Sequence, residues 1–221
     1  MTTSLSGNRP TSHTLEVNGK HFETVDSFIY LGLQVNSDNN IGEEIRRRVT
    51  LGNRSYYCLQ KLFRSKTLNR DLKCELYRTL IRPVVVYGSE AWCIIQRDEQ
   101  TLLVFKRRIL QSIFGGVNVE SNWRRRFNHE LYNEPDVVKF IKINRLRWLG
   151  HVLRMNEERV PLKLLNTHPG GNRRPGRPKT RWKVAVESDL KALRVGDWRT
   201  LARSRCDRRN MLEEANTNKR L

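Results

Sequence analysis

The hydrophobic rhythm of this chain changes once, near residue 40, and that change restricts its fold more than any other feature. From Thr14 to Phe22 the order is alternating residues, Asn18-Gly19, then further extended-type residues. Asn-Gly suits the type I′ turn of a two-residue hairpin, because both central positions need positive φ. A second β-like run, Ser27 to Val35, follows and is closed by the turn-rich Asn36-Ser-Asp-Asn-Asn40. After that, Ile41, Ile45, Val49, Tyr56, Leu59 and Phe63 share one stripe of a helical wheel, while Arg47, Arg54 and Lys61 point elsewhere. A period of two has become a period of 3.6. The expected fold is mainly α, with a small N-terminal antiparallel β-hairpin unit followed by a bundle of amphipathic helices and a basic flexible arm.

Further along, Asn69 is placed to cap a helix over about 70–82, and Pro83 should end or kink it before Val84-Val-Val-Tyr87. Asp98 to Phe114 reads as another helix, stopped by Gly115-Gly116. In 136–155, Val137, Val138, Ile141, Trp148, Leu149 and Val152 form an apolar half, with Lys139, Arg147, His151 and Arg154 opposite. Prolines and glycines deny both helix and strand over 166–181. Helical patterns resume over roughly 182–194 and 197–215. The expected organisation is a disordered lead-in at 1–12, the hairpin unit at 13–40, helical regions at 41–116 and 117–165, a basic linker or arm at 166–181 and C-terminal helices at 182–221.

Charge narrows the partner. The chain carries 42 Lys+Arg against 23 Asp+Glu, a formal charge of +19. Residues 1–40 hold two basic and four acidic residues, so the excess lies entirely after residue 40. Such self-repulsion calls for a polyanion, and nucleic acid is the expected partner, whether RNA, DNA or their hybrid. No apolar run approaches the ~20 residues of a membrane span, and no pattern points to a small-molecule substrate. A soluble intracellular protein, nuclear or cytoplasmic, is the expectation. Cys58, Cys74, Cys93 and Cys206 lack metal-ligand or disulfide-framework spacing and read as reduced, buried thiols, so no metal and no cofactor is expected.

The densest binding signal is Arg173-Arg-Pro-Gly-Arg-Pro-Lys-Thr-Arg-Trp-Lys183, with six cations and no acid. Arg173, Arg174, Arg177, Lys179, Arg181 and Lys183 would meet phosphates, and Trp182 could stack on a base. Gly176-Arg177-Pro178 also has the character of a minor-groove arm, although Pro175 stands where an Arg is expected. The bland alternative is a solvated linker. Weaker clusters are Arg124, Arg125 and Arg126 beside Trp123, Arg46-Arg47-Arg48, and Arg107-Arg108, and Arg147 and Arg154 are further candidates on a cationic helix face; a charge run on a helix is more often a solvated surface. Catalysis finds no foothold. A two-metal polymerase or nuclease needs converging carboxylates and the chain has no Asp-Asp. Hydrolase-elbow, P-loop and zincin patterns are absent too. His151 is better read as a structural or backbone-contacting histidine than as a base.

Several segments in order carry a family resemblance: Phe28-Ile-Tyr-Leu-Gly32, Ile45-Arg-Arg-Arg48, Leu80-Ile-Arg-Pro-Val-Val-Val-Tyr-Gly-Ser-Glu-Ala-Trp92, Arg145-Leu-Arg-Trp-Leu-Gly-His-Val-Leu-Arg154 and Gly176-Arg-Pro-Lys-Thr-Arg-Trp182. Over about residues 13–194 the chain resembles the C-terminal part of the endonuclease–reverse transcriptases of non-LTR (LINE-type) retrotransposons. The resemblance implies that Tyr30, Leu31 and Gly32 correspond to a primer-grip hairpin at the end of the polymerase palm. It likewise implies that 41–116 is thumb-like and 117–165 lies beyond the thumb. The family's Asp-Asp element and endonuclease would precede residue 13, so polymerase and nuclease activity do not carry over. The zinc knuckle of some members has no counterpart around Cys206. Three functional expectations follow: a catalytically silent nucleic-acid-binding fragment, one portion of an active RNA-directed DNA polymerase, or a domesticated DNA-binding regulator. Beside them stands a non-functional remnant.

Overall fold

Helices dominate the protein after small antiparallel hairpins at its N-terminal end. The structure is a computed structural model and describes residues 14–23, 25–37, 40–119, 121–127, 136–167 and 181–217. The expected lead-in at 1–12 and the arm over 168–180 lie outside the described residues.

Strands β1 (Thr14–Val17) and β2 (Lys20–Glu23) pair antiparallel across the Asn18-Gly19 turn, with Val17 opposite Lys20. Both turn residues have positive φ, 52° and 72°, as a type I′ turn requires. The run from Ser27 is not one strand. It folds back on itself as β3 (Ser27–Tyr30) and β4 (Leu33–Asn36), in register Tyr30 to Leu33. Leu31 and Gly32 turn the corner, and the two hairpins are separate two-stranded sheets.

Asn40 caps α1 (Ile41–Cys58), its side-chain oxygen accepting from the Gly42 N–H at 3.1 Å. The predicted stripe is buried or half-buried in one cluster, although the helix breaks at Leu59 and resumes as α2 (Gln60–Arg64). Asn69 caps α3 (Arg70–Leu76) through the Leu72 N–H at 2.8 Å. Pro83 does not end this helix. A π-turn at Tyr77–Ile81, where the Arg82 N–H reaches back to the Tyr77 carbonyl, carries the chain into α4 (Arg82–Val85). Proline lacks an N–H and crowds the carbonyl four residues back, and the wider π-turn before it relieves both conflicts.

A short 3₁₀ turn (Ser89–Ala91) leads to α5 (Gln96–Phe114), which Gly115 ends at φ 67°. Gly52 in the middle of α1 allows a close crossing with α4 and α5. A Cβ there would collide with Val85 Cγ2 and sit 2.9 Å from Phe105 Cζ. Gly52→Ala should therefore lower stability by about 1–3 kcal/mol through overpacking, despite alanine's better helix propensity. A urea midpoint at or above the native one would show that the crossing relaxes freely.

Residues 117–125 were expected within a helical region and instead form a third hairpin. Strands β5 (Gly116–Val119) and β6 (Asn122–Arg125) turn through Ser121 at φ 68°. Val117 and Val119 favour the pleated backbone, and two short strands carry no 3.6-residue stripe to read.

Helix α6 (Val137–Val152), capped by Asp136, is the spine of the molecule. Its first turns bury Val137, Val138 and Ile141 in the cluster of α1, α4 and α5, while Ile143, Leu146 and Leu149 belong to a second cluster. That second cluster is completed by residues of α8 (Trp182–Ala192) and α10 (Arg205–Thr217). The short α7 (Val160–Asn166) and α9 (Trp198–Arg203) lie between these elements in sequence; the predicted 197–215 helix is interrupted at Ser204. Among the described residues no helix is long and apolar enough to cross a membrane. All four cysteines are free, but only Cys74 is fully buried; Cys58 and Cys206 are exposed, which corrects the expectation of buried thiols. Burial pushes the half-buried Cys93 thiol up, against the opposing pull of Arg145.

Candidate nucleic-acid interface

The primer-grip-like residues sit at the tip of the β3–β4 hairpin. Leu31 and Gly32 have φ 48° and 77°, and a leucine in the left-handed region is costly unless its surroundings hold it. They do. The Leu31 carbonyl accepts from the Tyr87 hydroxyl at 3.0 Å, and the Gly32 carbonyl accepts from Arg47 Nη1 at 2.9 Å and from Arg48 Nη2. Beneath the turn, buried Glu44 accepts from Arg48 Nε, from Arg47 Nη1 at 3.3 Å and from the Gln34 N–H at 2.9 Å. The Arg48 guanidinium also lies 4.5 Å from the centre of the Tyr87 ring. A polar clamp from α1 thus holds an exposed apolar tip, with Tyr30 59% and Leu31 72% exposed.

This geometry divides the Arg46-Arg47-Arg48 cluster. Arg46 is exposed, Arg48 is buried, and Arg47 is turned back onto the hairpin. The signal for that division was weak: Arg48 falls one turn after Glu44, but the Gly32 carbonyl is visible only in three dimensions.

Segment 87–92 is a hub. Besides Tyr87, its Trp92 carbonyl accepts from Arg145 Nη1 at 3.0 Å and its Glu90 carbonyl from Trp182 Nε1 at 2.8 Å. Arg145 is buried and donates through Nε, at 3.0 Å, and Nη2 to Asp189 of α8. Burial raises the Asp189 carboxyl above its ordinary range, and the Arg145 charge pulls it back. Leu31, Arg48, Arg145 and Trp182, from four separate stretches of the chain, therefore meet this hub.

Trp182 was expected to stack on a base. Its indole N–H is instead committed to Glu90, and its ring is half-buried against the second cluster. It shares a groove of about 450 Å³ with Trp148, Leu164, Arg181 and Lys183. Trp123, beside the arginine cluster, is 75% exposed on β6 and lies across Gly116. Arg124, Arg125 and Arg126 follow it, on and just after a strand rather than a helix; the Arg124 guanidinium lies 4.3 Å from the centre of the Phe127 ring. Arg173, Arg174, Arg177 and Lys179 lie outside the described residues.

Arg147 and Arg154 occur on or just beyond α6, on the side met by α10. Arg147 is exposed and donates to Asn144 at 3.1 Å. Burial lowers the Arg154 pKa, and the neighbouring charges of Arg208 and Arg205 lower it further. Those two α10 arginines escaped the sequence reading, since nothing in a single helix's pattern says that another helix lies against it. Among the described residues, no group of three or more His, Cys, Asp or Glu side chains is placed to hold a metal.

Fold and surface together define a basic, mainly helical protein opening on small β-hairpins, with arginines distributed between an internal scaffold and an outer cationic face. The chain is similar to a Caenorhabditis elegans protein named as transposon-derived and uncharacterized, 27% identical over 197 residues, covering 83% of this chain and 68% of that one. No protein-family model matches it. No solved structure matches it.

Proposed function

We propose that this chain is of transposon origin and is the non-catalytic C-terminal part of a non-LTR reverse transcriptase, binding nucleic acid through its phosphates. Similarity to a protein named as transposon-derived supports the origin, and the ordered motifs from Tyr30 to Trp182 support the reverse-transcriptase reading. The observation that carries nucleic-acid binding is the disposition of charge. Among the described residues the buried carboxylates Glu44, Asp98 and Asp189 are matched in number by the buried Arg48, Lys106 and Arg145, so the cationic excess there lies outside the core. A surface of that sign draws polyanions and gains by releasing their counterions. Tyr30 and Leu31, on a rigid clamp, are the residues that would meet the end of a template–primer duplex.

Purified chain titrated with single-stranded RNA, duplex DNA and an RNA–DNA hybrid across a salt series tests this. Submicromolar binding should fall about a thousandfold between 50 and 200 mM salt, as expected for about six phosphate contacts. A folded sample that binds none of the three at ~100 mM salt refutes the reading.

A further inference from the structure

Helices α6 and α10 run antiparallel. Lys139 Nζ, near the start of α6, donates to the Asn216 carbonyl at 2.7 Å, near the end of α10. From there toward the other end, arginines from both helices line the seam. A hollow of about 540 Å³ runs along it from Asn216 and Leu212 to Arg147, Arg205, Arg208 and Arg209, with Glu213 on its wall. Glu213 pairs with Arg209 at 3.1 Å, and α6 itself contains no acidic residue.

Gly150 shows how close the approach is. A Cβ at this position would collide with Arg208 Cδ, and would sit 3.1 Å from Arg208 Nη1 and 3.3 Å from Arg154 Nη1. Two guanidinium groups thus converge above one glycine. Glycine inside a helix weakens it, yet here it leaves the space that the Arg208 side chain occupies. Guanidinium groups stay charged at any physiological pH, so this crowding is a standing repulsion that an anion would relieve.

We propose that Arg147, Arg154, Arg205 and Arg208 form a site for consecutive phosphates of a nucleic-acid backbone. The proposal rests on the nucleic-acid-binding reading above and gives it a location. Planar guanidinium groups grip phosphate oxygens two at a time. Arg147 lies in the last two turns of α6 and Arg154 just past its end, and both face α10. One strand lying along the α6–α10 seam would therefore meet arginines from both helices.

The test uses the full chain, the same three nucleic acids and two variants, Arg205→Gln/Arg208→Gln and Gly150→Ala. A control, Arg97→Gln/Lys191→Gln, removes two exposed cations elsewhere. The arginine pair should lose roughly tenfold or more in affinity at ~150 mM salt, and its log–log salt slope should shrink by about two. Gly150→Ala, whose Cβ would displace the Arg208 side chain, should weaken binding in the same sense, with its thermal midpoint showing that the chain still folds. Equal losses in the control, or an unchanged slope in the arginine pair, overturn the site while native binding leaves the broader reading intact. If the native chain binds nothing, it is the broader reading that fails. Polyglutamate of matched charge displacing nucleic acid from the native chain but not from the arginine pair would assign the site to acidic peptides and overturn the phosphate proposal.

Discussion

Replacing Asp189 by alanine should cost about 3–5 kcal/mol, the largest loss expected from any single change in the second cluster. Arg145 is only about 2% exposed. Without its partner its guanidinium would keep the Trp92 carbonyl alone, and an uncompensated charge would remain buried. A domain's whole stability is of the order of 5–15 kcal/mol, so the urea midpoint should fall by a large fraction. The pair itself is not required for net stability, because taking two charges out of water offsets most of their attraction. Arg145→Met/Asp189→Leu should therefore recover much of the loss. Only the Trp92 carbonyl would then lack a donor, at about 1–3 kcal/mol. If the single and double variants melt alike, the buried-charge explanation is wrong.

Glu44→Ala should have the second-largest effect, about 3 kcal/mol, with a local signature the first lacks. Glu44 accepts from Arg48, Arg47 and the Gln34 N–H, so its removal leaves the Arg48 guanidinium with the Gly32 carbonyl and the Tyr87 ring. The β3–β4 hairpin should loosen from α1, and the Gln34 amide should exchange with solvent much faster than in the native chain. Glu44→Gln, which keeps an acceptor, should give a smaller change. Native-like protection of Gln34 in the alanine variant would mean that Tyr87, Arg47 and Arg48 suffice to hold the hairpin. If the tip meets nucleic acid as proposed, this variant should also bind duplex less tightly while keeping the salt slope, since no phosphate-contacting cation has been removed.

The two ion pairs show where reading a helical wheel stops. Arg46, Arg47 and Arg48 are consecutive, and Arg145 and Arg147 share one motif; by type and charge alone each is an equal candidate for phosphate. The structure buries Arg48 and Arg145, turns Arg47 inward and leaves Arg46 and Arg147 outside. Trp182 and Trp123 divide in the same way, the expected stacker half-buried and the one beside the weaker arginine cluster exposed. The third hairpin at 116–125 was missed because four-residue strands are too short to establish a period.

Legible in the order of residues alone are local features: the switch from hairpins to helices near residue 40, the Asn18-Gly19 turn, the cap at Asn69, the stop at Gly115 and the apolar stripe of α1. Each depends on interactions spanning a few residues, where backbone sterics and the helical repeat decide the outcome. Tertiary structure alone decided which arginines are scaffold and which form an outer face. Arg145 finds Asp189 across 44 positions, and Gly150 receives Arg208 across 58. A wheel gives the direction in which a side chain leaves its helix, but its protonation, burial and availability depend on what another part of the chain places opposite it.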